Sequence, residues 1–286
     1  MRRTLLNPKI DFVFKKIFGS EEHPEILISF LNAVLKPKKP IVSVEIKNSD
    51  LEKEYIEDKF SRLDVKATTS NNEIINIEIQ LKNEYNMIKR SLFYWSKLYS
   101  EQLNEGEDYS VLKRTICINI LNFKYLKTRK FHSGYRLKEI YSNEELTDVA
   151  EIHFIEIPKL EEGTDEKDML VAWIEFLKNP ESEKVRSLEM SIDEIREAKD
   201  ELIRMSNDDT QRELYEMRAK TLKDKISALN EAERKGIKKG RQEGIKEGEK
   251  SKAIEIAKSL INIGLDKETI SKSTGLTLSE IEKLID

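Results

Sequence analysis

The sequence has little of what disulfide-stabilised, metal-cluster and membrane proteins need. Of its 286 residues one is cysteine and three are histidine, which excludes a disulfide framework, a cysteine-ligated zinc site and a histidine-rich metal cluster. Lysine and arginine number 50 against 54 aspartate and glutamate, a net charge of −4, so nucleic-acid binding needs a local basic patch. The longest apolar stretch, Ile26 to Leu35, is too short to span a bilayer, and the basic start of the chain lacks the apolar region of a signal peptide. We therefore expect a cytoplasmic protein with no membrane partner.

The composition of the chain changes near residue 160. Before it lie short β-branched and aromatic runs, and after it lie long stretches rich in Glu, Lys and Arg with helical spacing. These patterns predict an α/β core, a mixed sheet with helices on its faces, followed by an all-α region. The predicted elements are helices at 9–18 and 24–35, strands at 41–46, 60–69 and 73–81, a helix at 85–103, and strands at 115–123 and 151–157.

Two carboxylates are expected to face each other on the hairpin formed by residues 60–69 and 73–81. Apolar and polar residues alternate on both strands, so packing both apolar faces into one core places both polar faces on one side. Opposed residue numbers then have an even sum, and a sum of 142 sets Asp64 opposite Glu78 with a three-residue loop at 70–72. A two-residue turn at Asn71-Asn72 would place the two carboxylates on different faces unless a bulge intervened.

Opposed carboxylates repel unless a cation or a proton lies between them. A hard divalent ion suits such a site, because it takes oxygen ligands and leaves positions for water and phosphate. It would lower the pKa of its bound water and neutralise charge on a phosphoryl oxygen, while Gln80 or Lys82 orients the attacking water. The alternative is a solvated sheet face that carries ordinary alternating charges.

The two acids and their surroundings resemble a nuclease family. Asp64, thirteen intervening residues and Glu78-Ile79-Gln80 resemble the D-x(n)-(E/D)-x-K signature of PD-(D/E)XK nucleases, with Gln in place of Lys. Four flanking blocks resemble the Rpn family of recombination-promoting nucleases, also described as PD-(D/E)XK nuclease family transposases. These blocks are residues 9–19, 90–99, 106–109 and 155–160, so the resemblance covers residues 5–160.

The resemblance implies a restriction-endonuclease-like core and roles for particular residues. Asp64 and Glu78 map onto the metal-binding acids, and the backbone carbonyl of Ile79 maps onto the third protein ligand. Gln80 occupies the position of the lysine. Asp11 would supply the extra acid that such folds often carry on the first helix.

The activity that the resemblance implies is that of a Mg²⁺-dependent endodeoxyribonuclease, a hydrolase of DNA phosphodiester bonds, with Mn²⁺ as the other ion considered. A link to recombination, mobile elements or defence follows from the same resemblance. Because Gln80 carries no fixed positive charge, Lys82 is a further catalytic candidate on the same strand face. The alternative is a catalytically inactive DNA-binding or assembly protein that keeps the nuclease fold.

The helix after the second acidic strand carries predicted DNA contacts. Arg90, Tyr94 and Lys97 fall at i, i+4 and i+7, and in the nuclease interpretation they line a phosphate groove. The alternative is a solvated stripe beside a core-facing side formed by Leu92, Trp95 and Leu98.

Two further features have simpler alternatives. The basic and aromatic run 124–132 contacts the DNA backbone or is an ordinary basic loop, and the residues alone leave both open. Cys117 alternates with Ile116 and Ile118 in a strand, which favours a packed thiol over a nucleophile because no histidine is placed to activate it.

The tail after residue 232 predicts assembly. Glycine recurs at 236, 240, 244 and 248, at about 1 kcal/mol each relative to alanine within a helix. Close approach of a partner helix, hence a homo-oligomer, would offset that cost, whereas the alternative is a flexible linker. Residues 254–285 predict three short helices with the spacing of a helix-turn-helix.

The charge of the last predicted helix argues against major-groove binding. It carries Glu280, Glu282 and Asp286 against Lys283 alone. We therefore favour a small helical docking module. The predicted domains are the nuclease-like core at 1–162, a helical extension at 163–232, and the glycine-repeat helix with its small helical module at 233–286.

Overall fold

A mixed sheet of six strands organises the first of two compact units, residues 1–221; the second unit comprises residues 222–286. The computed structural model of the protein describes residues 3–47, 65–161, 163–164 and 168–285. The strands are β1 (Val44–Lys47), β2 (Val65–Thr69), β3 (Ile74–Gln80), β4 (Thr115–Leu121), β5 (His132–Lys138) and β6 (Glu145–Glu156). They lie in the order β1-β2-β3-β4-β6-β5, with β3, β4 and β6 parallel and the other neighbours antiparallel. The predicted mixed sheet is confirmed.

Helices pack on the sheet and make up most of the described chain after β6. They are α1 (Asp11–Phe18), α2 (Pro24–Leu35), α3 (Met87–Ser100), α4 (Met169–Lys178), α5 (Glu183–Leu188), α6 (Asp193–Asn207), α7 (Asp209–Asn262), α8 (Lys267–Thr274) and α9 (Leu278–Ile285). The prediction of an all-α region after the core is confirmed from Met169 onward. Among the residues that the structure describes, none of the helices combines the length and apolar content that a bilayer crossing needs.

An aromatic cluster joins the helices of the first unit. Phe18 on α1 packs edge-to-face on Phe30 of α2 and on Trp173 of α4, with both ring-centroid distances at 5.3 Å. All three side chains are fully buried, and burying each contributes about 1.5–3 kcal/mol. Because α2 also contacts α6, the helices that follow the sheet share a core with the helices that precede it.

The β2–β3 hairpin has the register that the alternation predicts. Val65 pairs with Ile77 and Ala67 with Ile75, so the paired residue numbers sum to 142. Thr69 accepts a hydrogen bond from Asn72 across the loop 70–72, and Asn72 has a left-handed φ of 61°. A type I turn followed by a left-handed residue is the usual geometry of a three-residue hairpin loop.

The sheet contains one strand that the sequence analysis missed. Residues 132–138 form β5 on the edge beside β6, and β6 begins at Glu145 instead of at residue 151. The side chains of β5 are mostly exposed and polar, so they carry no period-2 apolar signal. Pairing with β6 therefore makes this segment a strand.

Helix α3 buries only part of the predicted core-facing side: Leu98 is buried and Trp95 packs against the same cluster, as predicted. Leu92 was expected to face the core but is 49% exposed, whereas Tyr94 is only 6% exposed. The inward residues are Met87, Ser91, Tyr94 and Leu98. The sheet face beneath α3 is polar, and Asn119 Nδ2 of β4 donates to Ser91 Oγ at 2.9 Å. A polar sheet face selects the helix face that offers it a hydrogen-bond partner.

The second unit contains a small three-helix cluster formed by the end of α7, α8 and α9. Its buried core is Ala257, Ile270, Leu276 and Ile281. The first of the three predicted short helices is instead the last part of α7, which runs unbroken through the four regularly spaced glycines. The flexible-linker alternative therefore does not describe this segment.

Candidate active site

The polar face of β3 is buried beneath α3. Asn76 is 2% and Glu78 is 3% exposed, so the alternative of a solvated sheet face is wrong. Glu78 lies beside Asn119 of β4 in the parallel register. Asn119 Nδ2 is in turn within hydrogen-bond distance of both Ser91 Oγ, at 2.9 Å, and the backbone oxygen of His153, at 3.0 Å. A carboxylate buried in this way requires a cation or a hydrogen-bond donor at close range.

Arg90 of α3 supplies that cation. Its Nη2 lies 3.1 Å from Glu78 Oε2, and its Nη1 donates to Gln80 Oε1 at 3.3 Å. Glu78 and Gln80 are two residues apart on β3 and project from the same face. One guanidinium therefore contacts both polar positions of the Glu-Ile-Gln motif.

Tyr94 lies beneath the guanidinium of Arg90. Its ring centroid is 5.3 Å from Arg90 Cζ, and the ring packs with Leu98 and Cys117 in a buried cluster. Burial lowers the pKa of Arg90, but the Glu78 carboxylate, Tyr94 and Glu84 together outweigh burial and raise this pKa above its ordinary value. Tyr94 is only 6% exposed, and its contact with DNA stays a prediction.

Cys117 is a packed thiol, as predicted. It is 1% exposed, and burial, followed by the nearby Glu78 charge, raises the pKa of the thiol. A protonated thiol is a weak nucleophile.

The remaining predicted site residues are spread around this centre. Asp64 lies outside the described residues. β3 ends at Gln80, so Lys82 does not continue the strand face; its backbone oxygen instead accepts a hydrogen bond from Gln80 Nε2 at 3.2 Å. Ile79 lies between Glu78 and Gln80 on β3, with its side chain on the opposite face.

Two predicted residues lie on the surface. Asp11 stands at the start of α1, where Arg218 Nη1 of α7 is 3.6 Å from its carboxylate. Lys97 is exposed on α3. The catalytic role of Asp11 and the DNA contact of Lys97 stay predictions.

A buried histidine–carboxylate network on β5 and β6 was missed by the sequence analysis. His132 Nε2 is 2.9 Å from His153 Nδ1, and His153 Nε2 is 2.6 Å from Glu151 Oε1. Glu151 also pairs with Arg114 and Arg136. Glu151 and His153 lie two residues apart on β6, but His132 and Arg136 reach them only through the pairing of β5 with β6, so no local motif marks the network.

The basic run 124–132 is a loop followed by the first residue of β5. Tyr125 packs against Phe154 with ring centroids 6.4 Å apart, while the basic residues at 124, 127, 129 and 130 are exposed. Buried Lys159 holds the loop by donating to the backbone oxygens of Leu126 and Thr128, each at 2.7 Å. The fixed loop suits either DNA-backbone contact or a structural role.

A second group of potential metal ligands lies away from the predicted ones in sequence. His23, Glu25 and Glu197 each offer one ligand atom, and these atoms lie within 4.8 Å of one another among the described residues. Burial and the neighbouring Glu25 carboxylate raise the pKa of Glu197. The group contains none of the predicted metal ligands.

Comparison with known families gives two matches. The family model described as PD-(D/E)XK nuclease family transposase matches residues 8–232, which include β2, β3 and α3. The model described as Rpn/YhgA-like nuclease family, C-terminal HTH domain, matches residues 250–286. No curated protein and no solved structure is significantly similar to the chain. The Rpn resemblance, the nuclease-like fold and the helix-turn-helix spacing are thus confirmed, and the chain belongs to the PD-(D/E)XK nuclease family transposases.

Proposed function

We propose that the protein is a metal-dependent endonuclease that hydrolyses phosphodiester bonds of DNA. The observation that carries the proposal is the buried carboxylate of Glu78, held beside Gln80 and Arg90 at the second acid of the family's signature. A structural carboxylate at this position would need no second polar residue on the same strand face. The arrangement instead gathers a metal ligand, a water-orienting amide and a cation.

The donor set fits a hard divalent cation. Glu78, the predicted Asp64 and the carbonyl of Ile79 offer oxygen atoms, which Mg²⁺ and Mn²⁺ prefer. The register that predicts Asp64 opposite Glu78 is the one observed at the neighbouring pair Val65↔Ile77. When bound, such an ion lowers the pKa of a coordinated water and offsets negative charge on phosphoryl oxygens.

The chain's own residues then position the reactants. Glu78 would hold the ion, and the Gln80 side chain would orient water toward phosphorus. The water oxygen forms a bond to phosphorus while the bond from phosphorus to the leaving deoxyribose oxygen breaks. One water proton passes to solvent, and the leaving oxygen takes up one proton.

The C-terminal module supports DNA as the partner. A helix-turn-helix domain is a common DNA-binding element, and the match to this domain covers residues 250–286. The other parts of the proposal are homo-oligomer formation through the C-terminal helices, a cytoplasmic location and a link to recombination, mobile elements or defence. DNA affinity of the chain with and without residues 250–286 distinguishes a DNA-binding module from a protein-docking one.

Nicking of supercoiled plasmid by the full chain tests the proposal, with Mg²⁺, Mn²⁺ or EDTA present. We expect nicking with either metal and none with EDTA. Glu78→Gln removes the anionic ligand but keeps its shape, and it should reduce nicking by about 10²-fold or more. Glu101→Gln is the matched control, because it removes one carboxylate that pairs with Lys66 at the surface of the same unit.

The rival function is an inactive DNA-binding or assembly protein. Gln80 in place of the signature's lysine is the observation that favours it. Equal nicking by the wild type and by Glu78→Gln would rule out this active site. Absence of nicking together with metal-independent plasmid binding would support the rival.

A further inference from the structure

The signature of this enzyme class carries a positive charge that β3 does not provide. Gln80 is neutral, and Lys82 lies beyond the last residue of the strand. A phosphoryl-transfer site gains from a fixed cation beside the reacting phosphate, because negative charge develops there in the transition state. Another element must therefore bring the cation if the site is active.

Arg90 of α3 lies where that charge is needed. Its two terminal nitrogens lie 3.1 Å from Glu78 and 3.3 Å from Gln80, so the guanidinium stands directly over the motif. The side chain is 28% exposed, so solvent still reaches part of Arg90. A planar guanidinium also matches the oxygen spacing of a phosphate.

The guanidinium is held in place from below. Tyr94, one helical turn along α3, presents its ring 5.3 Å from Arg90 Cζ, and Tyr94 is itself fixed in a buried cluster. A side chain clamped between a ring and a carboxylate loses little conformational freedom on binding substrate. This arrangement is preorganised, as an electrostatic catalyst requires.

We propose that Arg90 is a catalytic residue that replaces, from α3, the strand lysine absent at Gln80, by donating to a non-bridging oxygen of the scissile phosphate. This inference rests on the proposed nuclease function. It assigns Arg90 to the chemical step, whereas the sequence analysis assigned it to DNA-backbone binding. If Arg90 acts in the chemical step, removing its charge lowers kcat. If it only binds the DNA backbone, removing its charge raises KM.

A charge-exchange series on the full chain tests the inference. The variants are Arg90→Gln, Gln80→Lys and the double variant Gln80→Lys with Arg90→Gln, assayed by metal-dependent plasmid nicking. We expect Arg90→Gln to lower kcat by about 10²–10³-fold with a smaller change in KM. The double variant returns a lysine to β3 and should regain at least about tenfold, since a lysine is a point-charge substitute for the guanidinium.

Two controls separate catalysis from folding. Lys89→Gln removes one exposed positive charge from α3 and should leave kcat unchanged. Thermal melting of each variant shows whether loss of the Glu78 partner unfolds the protein. If Arg90 were merely structural, the loss of nicking would follow the loss of thermal stability from one variant to the next.

The outcomes are distinct. Full activity of Arg90→Gln, or no rescue in a double variant that melts like Arg90→Gln, would overturn the catalytic assignment while leaving the nuclease intact. A change confined to KM would overturn it in favour of backbone binding. Failure of the wild type to nick at all would overturn the proposed function, and this inference with it.

Discussion

At the scale of single residues, burial changes what a polar side chain must do. Glu78 on a solvated face would need no partner, but at 3% exposure it pairs with Arg90. Breaking a buried pair by removing one member costs roughly 3–5 kcal/mol, because the remaining charge is uncompensated. If Glu78 is replaced by its neutral isostere Gln, Arg90 is the charge left behind. Because Arg90 keeps some access to solvent, this change should cost less stability than removing Arg90, which would leave the buried Glu78 charge uncompensated.

His132 is a second residue whose surroundings set its charge. Burial, followed by His153, lowers the pKa of His132 to about 4. Lys36 also opposes protonation of His132, whereas Asp168 and Glu151 favour it. His153 links His132 to Glu151, with His132 Nε2 at 2.9 Å from His153 Nδ1 and His153 Nε2 at 2.6 Å from Glu151 Oε1.

We expect His132 to make the protein less stable in acid. Its pKa in the folded state, about 4, lies below the unfolded value of about 6.5, so the unfolded chain binds the proton first. Stability is therefore full above about pH 6.5 and falls as the pH drops to about 4, by up to roughly 3 kcal/mol. Urea unfolding at pH 7, 5.5 and 4.5 measures this loss.

His132→Gln is the variant that checks the assignment. Glutamine still offers a donor to His153 but does not titrate, so the loss between pH 6.5 and 4 should shrink. Glu151, whose pKa is lowered to about 2, contributes at lower pH and remains in the variant. An unchanged pH slope would show that another group is responsible.

At the scale of elements, α7 is unusual because it has glycine where a helix prefers other residues. The positions of Gly236, Gly240, Gly244 and Gly248 are helical, and a Cβ atom added at any of them would meet nothing within 4 Å of the described chain. Nothing in the part of the chain that the structure describes therefore requires glycine there. The predicted self-association would explain the glycines, because they allow a partner helix to come into close contact.

Replacing the four glycines by alanine should separate helix stability from assembly. Alanine stabilises a helix interior by about 1 kcal/mol per position, so helicity should rise. Added methyl groups block close helix contact, so we expect the oligomer of the wild type to dissociate in sedimentation or light scattering.

Gln242→Ala, on the opposite side of α7, serves as the control and should leave assembly unchanged. If the quadruple variant assembles as the wild type does, the glycines are not an interface.

The helix-turn-helix shows a second effect at this scale. Glu280 accepts hydrogen bonds from the backbone nitrogen and hydroxyl of Thr277, and Glu280 N donates to Thr277 Oγ1, so the two form a capping box at the start of α9. Glu280 also pairs with Lys250, and Glu282 pairs with Lys267. The acidic charge that argued against DNA is thus partly neutralised by the module itself. Counting the charges of α9 alone left out the lysines on neighbouring segments that pair with its acids.

At the scale of the whole molecule, the two family matches fall on successive stretches of the chain. The nuclease family model ends at residue 232 and the helix-turn-helix model begins at residue 250. The catalytic candidates Glu78, Gln80 and Arg90 all lie within the first match. The tail is therefore expected to affect assembly and DNA affinity more than chemistry.

A chain that ends at Ala232 should retain most metal-dependent nicking at saturating DNA. Its assembly should be lost in sedimentation, and its DNA affinity should be lower because the helix-turn-helix is removed. The full-length variant Ile281→Asp puts a charge into the buried cluster of the second unit. It therefore tests the role of the helix-turn-helix module while the rest of α7 stays in place. Loss of nicking by a shortened chain with an intact melting transition would show that the tail takes part in catalysis.

Much of this protein follows from local sequence alone. The spacing of apolar residues predicts α1 and α2. The alternation of apolar and polar residues, with a three-residue loop, predicts the register of β2 and β3. These features depend on side-chain period and turn geometry, which act over a few residues. The Glu-Ile-Gln motif and its flanks give the family in the same way.

The tertiary structure decides what those residues touch. Sequence spacing assigned Arg90 and Tyr94 to a phosphate groove; in the structure Arg90 pairs with Glu78 of β3, and Tyr94 packs with Cys117 of β4. Strand β5 and the contact between His132 and His153, 21 residues apart, arise from pairing with β6. Local periodicity does not reveal such distant partners. The burial that these partners create determines which side chains of the site are charged.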